Sequence, residues 1–106
     1  MENEMQELMF EVVNSKKYVR LSAEQLLAFN DYLADAGFSI ARMEATKTAG
    51  GKTGRRFDYD ILVLPEHEEI MAIFMDPERS RAHVKNIVDQ AEREGGSFEF
   101  LVWAEK

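Results

Sequence analysis

Apolar side chains fall on every second position in several stretches of this chain and at helical spacing in two others. Residues 7–13 alternate Leu8, Phe10 and Val12 with Glu7, Met9, Glu11 and Val13, which predicts a strand with one wetter face. The turn-like Asn14-Ser15-Lys16-Lys17 leads into a short returning strand over Tyr18 to Leu21. A first helix follows, announced by Ser22-Ala23-Glu24-Gln25, a capping box flanked by the staple pair Leu21 and Leu26. Its core stripe is Leu26, Phe29, Leu33 and Ala36, and Gly37 supplies a left-handed end.

Phe38 to Ala45 reads as a strand whose alternation changes phase near Ala41, the signature of a bulge. Arg56 to Leu64 reads as a second long strand, with Phe57, Tyr59, Ile61 and Val63 on one face and Asp58 and Asp60 on the other. Ile70 to Met75 is continuously apolar, the pattern of a central strand covered on both faces. Asp76-Pro77 pairs an N-cap residue with proline at the first helical position. Val84, Ile87, Val88 and Ala91 form the stripe of this second helix, which Gly95-Gly96 ends. The last strand runs from Ser97 to Trp103, with Phe98, Phe100 and Val102 facing one way and Leu101 and Trp103 the other.

These elements predict a single α+β domain over 1–106. Two helices pack on one face of a mainly antiparallel sheet in ββαβββαβ order, ferredoxin-like or a variant of it. Ile70–Met75, the second helix and the last strand read as a βαβ unit with a right-handed crossover. At 106 residues, 45% apolar and 31% charged, the chain suits one core and is too short for two ordinary domains. No cysteine is present, which excludes disulfides, thiolate metal sites and a cysteine nucleophile. The acidic MENEMQELMF start has no secretory pattern, and no apolar run is long enough to span a bilayer. The expectation is a soluble cytoplasmic chain without membrane contact.

Charge is unevenly spread. The formal charge is −7, which disfavours general attraction to nucleic acid. Arg42 to Arg56 nevertheless holds five basic residues against Glu44, a local +4, and the rest of the chain carries −11. Within it GGKTG invites comparison with a phosphate-binding loop. The Walker pattern needs a glycine where Thr46 stands and a helix where a strand pattern begins, so that reading fails. What remains is a flexible basic hairpin loop over 46–56, hinged by glycines. Its candidate contacts to an acidic protein or a small anion are Lys47, Gly50, Gly51, Lys52, Arg55 and Arg56.

The order of elements around a long loop, and the stretch Tyr59 through LVLPEHEEIMAIFMDPE, resemble the PII-like signalling proteins. The resemblance implies a small-ligand sensor with a partner-recognition loop. The chain departs from that family after its second helix, where the short Glu92-Arg93-Glu94-Gly95-Gly96 replaces a Gly/Lys-rich nucleotide loop. No ligand residue is therefore carried over, and no cofactor is expected.

Other candidates are weaker. Asp58 and Asp60 with His67, Glu68 and Glu69 have the residue types of a metal or nuclease site, but two acids at i, i+2 of a strand more often form a solvated face. Arg42 is a cross-strand candidate for Asp60. His83 lies near Arg79 on the second helix, without a catalytic partner. No motif for acyl, phosphoryl or hydride transfer is present, so neither a catalytic residue nor a metal site is assigned. Asp31 and Asp35 stack on the first helix, and Asp89, Glu92 and Glu94 oppose the dipole of the second. A basic partner, or an inhibitor of the phage type that imitates nucleic-acid charge, would use such acids. The expected function is a non-enzymatic regulatory module acting through protein–protein interaction. A homodimer or homotrimer is a further expectation if Tyr18, Tyr59 and Trp103 lie on an uncovered sheet face.

Overall fold

The computed structural model describes residues 6–8, 18–64 and 66–105. Residues 6–8 are helical, so the strand expected over 7–13 does not begin as predicted. Residues 9–13 of that strand and the turn at 14–17 lie outside the described residues. The elements are β1 (Val19–Ser22), α1 (Ala23–Asp35), β2 (Ser39–Ala49), β3 (Lys52–Arg55), a 3-10 turn (Phe57–Tyr59), β4 (Ile61–Leu62), α2 (Glu68–Phe74), α3 (Pro77–Glu94) and β5 (Ser97–Glu105). The fold is α+β, with an antiparallel five-strand sheet in the order β1-β5-β2-β3 and β4 also paired to β2. This strand and helix order confirms neither the ββαβββαβ expectation nor the ferredoxin-like one.

Local signals set the helix ends. Ser22 Oγ accepts from the Gln25 amide at 3.2 Å, and the Ser22 amide donates to Gln25 Oε1 at 2.9 Å, closing the predicted capping box. At the other end Gly37 takes φ +85. Its amide donates to Ala34 O (3.0 Å) and the Phe38 amide to Leu33 O (2.8 Å), the pairing of a Schellman motif. Ala36, expected in the core stripe, is exposed at this terminus. Asn30 is buried instead, and its Nδ2 donates to Arg81 O at 3.0 Å, tying α1 to α3. Asp76 caps α3 by accepting from the Glu78 and Arg79 amides, with Pro77 next in the chain.

The core lies between the sheet and α1 and α3. Leu26, Phe29 and Leu33 of α1 and Val84, Val88 and Ala91 of α3 meet Ile40, Met43, Ala45, Phe98, Phe100 and Val102 of the sheet. The phase change near Ala41 is a bulge between Ile40 and Arg42, which returns Met43 and Ala45 to the covered face.

Two predicted strands are corrected. Ile70 to Met75 lies mostly in helix α2, so the predicted βαβ unit does not form. Six apolar residues in a row carry no period, and tertiary contacts decide between helix and strand. Ile70, Ile73 and Phe74 stand at helical spacing and face Ile40, Ile61 and Val63 across a small apolar recess. Glu68 and Glu69 occupy the first turn, where acids favour the helix dipole. The strand expected over Arg56 to Leu64 is interrupted by the 3-10 turn. Phe57 is turned outward and is 73% exposed, whereas Tyr59 is buried against Phe98 at a centroid distance of 5.8 Å. Among the described residues, no helix is long and apolar enough to cross a membrane.

Candidate functional site

The basic segment is not a long loop. Ala49 pairs with Lys52, Thr48 with Thr53, Lys47 with Gly54 and Thr46 with Arg55, so 46–49 and 52–55 form a ladder around a two-residue turn. Gly50 (φ +58) and Gly51 (φ +76) are that turn, and positive φ at both positions is the type I′ geometry that matches strand twist. Thr48 and Thr53 hydroxyls meet at 2.8 Å across the ladder. β5 backs β2 as far as the Thr48–Ser97 pair, so only the Ala49–Lys52 rung and the turn extend past the sheet. Backbone pairing and the turn type make Gly50 and Gly51 the corner of a regular hairpin rather than the flexible hinges expected.

The structure separates the candidate residues into two groups. Lys47, Arg55 and Arg56 are bound by carboxylates of the same chain. Lys47 Nζ lies 2.7 Å from Glu94 Oε2. Arg55 reaches Glu44 at 2.7 Å and Asp60 at 2.5 Å. Arg56 grips Asp58 at 2.8 and 3.0 Å, also meets Glu94, and lays its guanidinium over Tyr59. Lys52 is exposed beside the turn and makes no ion pair to a described residue. Asp58 and Asp60 diverge to different arginines, and among the described residues no three metal-ligating side chains converge.

Asp60 explains why strand pairing is broken here. Its Oδ1 accepts from the Ala45 amide at 2.8 Å, filling the place of a backbone carbonyl in the ladder. Ala45 O in turn accepts from the Arg56 amide at 2.9 Å and from Arg55 Nε at 3.2 Å. The β2 backbone is therefore satisfied across the 3-10 turn by side chains as well as main chain. Arg42, the expected partner of Asp60, instead contacts Glu44 at 3.6 Å and lies over Trp103.

Glu94 is the residue that sequence reasoning undervalued. It ends α3 and accepts from Lys47, Arg56 and the Tyr59 hydroxyl, the last at 3.3 Å. Hydrogen bonds from Arg56 and then Lys47 lower its pKa to about 2. Arg56 also lowers the pKa of Asp58, and Asp58 and Glu94 together raise that of Arg56. The signal available in sequence was an acid placed against its own helix dipole. The two cations answer that placement. Likewise Arg81 bridges Asp31, Asp35 and Glu78, so the stacked acids of α1 share a cation.

The turn between α3 and β5 closes against the hairpin. Gly96 has φ +87, and a Cβ built there lies 2.7 Å from Lys47 Cε and 3.2 Å from Thr48 O. A side chain at 96 therefore meets both an unfavourable backbone conformation and the hairpin itself. The site as a whole sets Arg42, Lys47, Lys52, Arg55 and Arg56 among Glu44, Asp58, Asp60 and Glu94. A +4 segment in sequence becomes a nearly balanced cluster in space. An entering phosphate would have to displace carboxylates already bonded to most of those cations. No protein-family model matches the chain, and no curated protein matches it in sequence.

Proposed function

We propose that this chain is a non-enzymatic protein-binding module that meets its partner with the end of the β2–β3 hairpin. The observation that supports this reading is the pairing of a regular, braced turn with one basic side chain, Lys52, that has no ion pair within the described chain. A contact already held in shape loses less freedom on binding than a mobile loop does. A single exposed lysine adds only a modest charge contact, about 0.2–1 kcal/mol. Backbone and the flanking Thr53 and Ala49 supply the rest of the surface, and an acidic side chain on the partner answers Lys52. A cytoplasmic setting and a regulatory role belong to the same reading.

The small-anion sensor has less support, because Lys47, Arg55 and Arg56 already donate to carboxylates. The charge-imitating inhibitor also has less, because Arg81 bridges Asp31 and Asp35.

Lys52 isolates the hairpin contact from the brace, since its substitution removes no ion pair in the described structure. Affinity capture from the producing cells, quantified by mass spectrometry, should recover a partner with wild type. Recovery should fall about fivefold with Lys52→Glu, the effect of roughly 1 kcal/mol, while the melting temperature stays unchanged. Equal recovery with both baits removes the hairpin end from the contact.

A further inference from the structure

The sheet has a second face, turned away from α1 and α3. Alternation along β5 sends Phe98, Phe100 and Val102 into the core and leaves Leu101 and Trp103 half-buried on the other side. Trp103 pairs with Arg42 of β2, and Arg42 pairs with Leu62 of β4. Tyr18 meets Trp103 at a centroid distance of 5.0 Å, and the Arg42 guanidinium lies 4.9 Å from the Trp103 ring centre. Tyr18, Trp103, Arg42 and Leu62 thus form one row across the sheet, with Tyr18 and Leu62 each 52% exposed. Trp, Tyr and Arg are the residue types that most often anchor protein interfaces.

The charges of the described side chains on this face balance. Arg20 pairs with Glu99 at 3.1 Å, Arg42 with Glu44 at 3.6 Å, and Arg55 with both Glu44 and Asp60. Among the described side chains three arginines meet three carboxylates here, although the chain as a whole carries −7. A charge-balanced face selects neither an acidic nor a basic partner. It also meets its own copy without net repulsion.

We infer that this face is an interface with a second copy of the chain, joined about a two-fold axis. In that arrangement the two helix layers point outward. Sheets pack about 10 Å apart and helices lie at a similar distance behind each sheet, so the helix layers stand about 30 Å apart. That exceeds the screening length of about 8 Å at physiological salt, which lets two acidic chains associate through a neutral face. Four strand columns spaced about 4.8 Å apart, with strands up to about 30 Å long, offer roughly 500 Å² per copy. Two copies together reach about 1,000 Å², the lower limit for a specific interface, so the expected association is weak and reversible. Lys52 lies on the other side of the ribbon from Arg55 and stays accessible in the dimer. This inference does not rest on the hairpin contact.

Trp103 is the only tryptophan in the chain, so its emission reports on this face directly. Sedimentation of the full chain from about 2 to 200 μM should show a mass rising from 12.2 kDa toward twice that value, with a blue shift of Trp103 emission. Leu62→Glu, at an exposed position, should weaken association at least about tenfold, as should Trp103→Glu. Lys52→Glu should leave it unchanged. Circular dichroism confirms that each variant is folded, and Leu62→Glu carries the test if Trp103→Glu is not. A mass of 12.2 kDa throughout, or association undiminished in folded Leu62→Glu, overturns the inference.

Discussion

Phe100→Ala is expected to lower the stability of the folded chain by about 3–5 kcal/mol, the range for removing a fully buried aromatic ring. Phe100 is 0% exposed and lies at the middle of β5, paired with Leu21 of β1 on one side and Ala45 of β2 on the other. Its ring stacks 6.1 Å from Phe98, so the substitution opens a cavity and strips a neighbour of its contact. Domains of this size have only about 5–15 kcal/mol to lose. Urea unfolding followed by Trp103 fluorescence should show a large drop in midpoint with an unchanged slope. A loss under about 1 kcal/mol would mean that β5 is not the central strand of the core.

Gly96→Ala is expected to cost roughly 2–3 kcal/mol, more than its small size suggests. Two effects add. One is the positive φ, which an L side chain adopts at a cost of about 1–2 kcal/mol. The other is the approach of the new methyl group to Lys47 Cε and to the carbonyl of Thr48. Gly37→Ala isolates the first effect, because Gly37 has φ +85 and nothing lies within 4 Å of a Cβ there. The difference between the two variants in thermal unfolding should be about 1 kcal/mol in favour of Gly37→Ala. Equal losses would show that the α3–β5 turn does not press on the hairpin.

The features legible in sequence were the local ones. Ser22 and Gln25 close their own box, Asp76 and Pro77 begin their own helix, and the Ala41 phase change marks a bulge, because each involves neighbours in the chain. Ile70 to Met75 was not legible, because an unbroken apolar run fits either period and the deciding surface comes from Ile40, Ile61 and Val63. The partners of the basic segment were hidden for a related reason. Glu94 lies 47 residues from Lys47 and 38 from Arg56, a separation that no pattern of spacing encodes. Asp60 was placed correctly as a residue with a basic partner. Arg55 takes that place because the 3-10 turn folds Asp60 back onto β2.

The basic segment is an internal brace with Glu94 at its hub, and Lys52 alone of its charges makes no ion pair to a described residue. Glu94 ordinarily titrates near 4.5, and Arg56 and Lys47 hold it at about 2 in the fold. A carboxyl lowered in this way contributes stability that is fully present above about pH 4.5 and is lost as the pH falls toward 2. A nuclear magnetic resonance titration of the Glu94 side-chain carboxyl reads this directly. The brace predicts a carboxylate still ionised at about pH 3.5, with a midpoint about 2. A midpoint near 4.5 would contradict it, leaving Lys47 free for an outside anion.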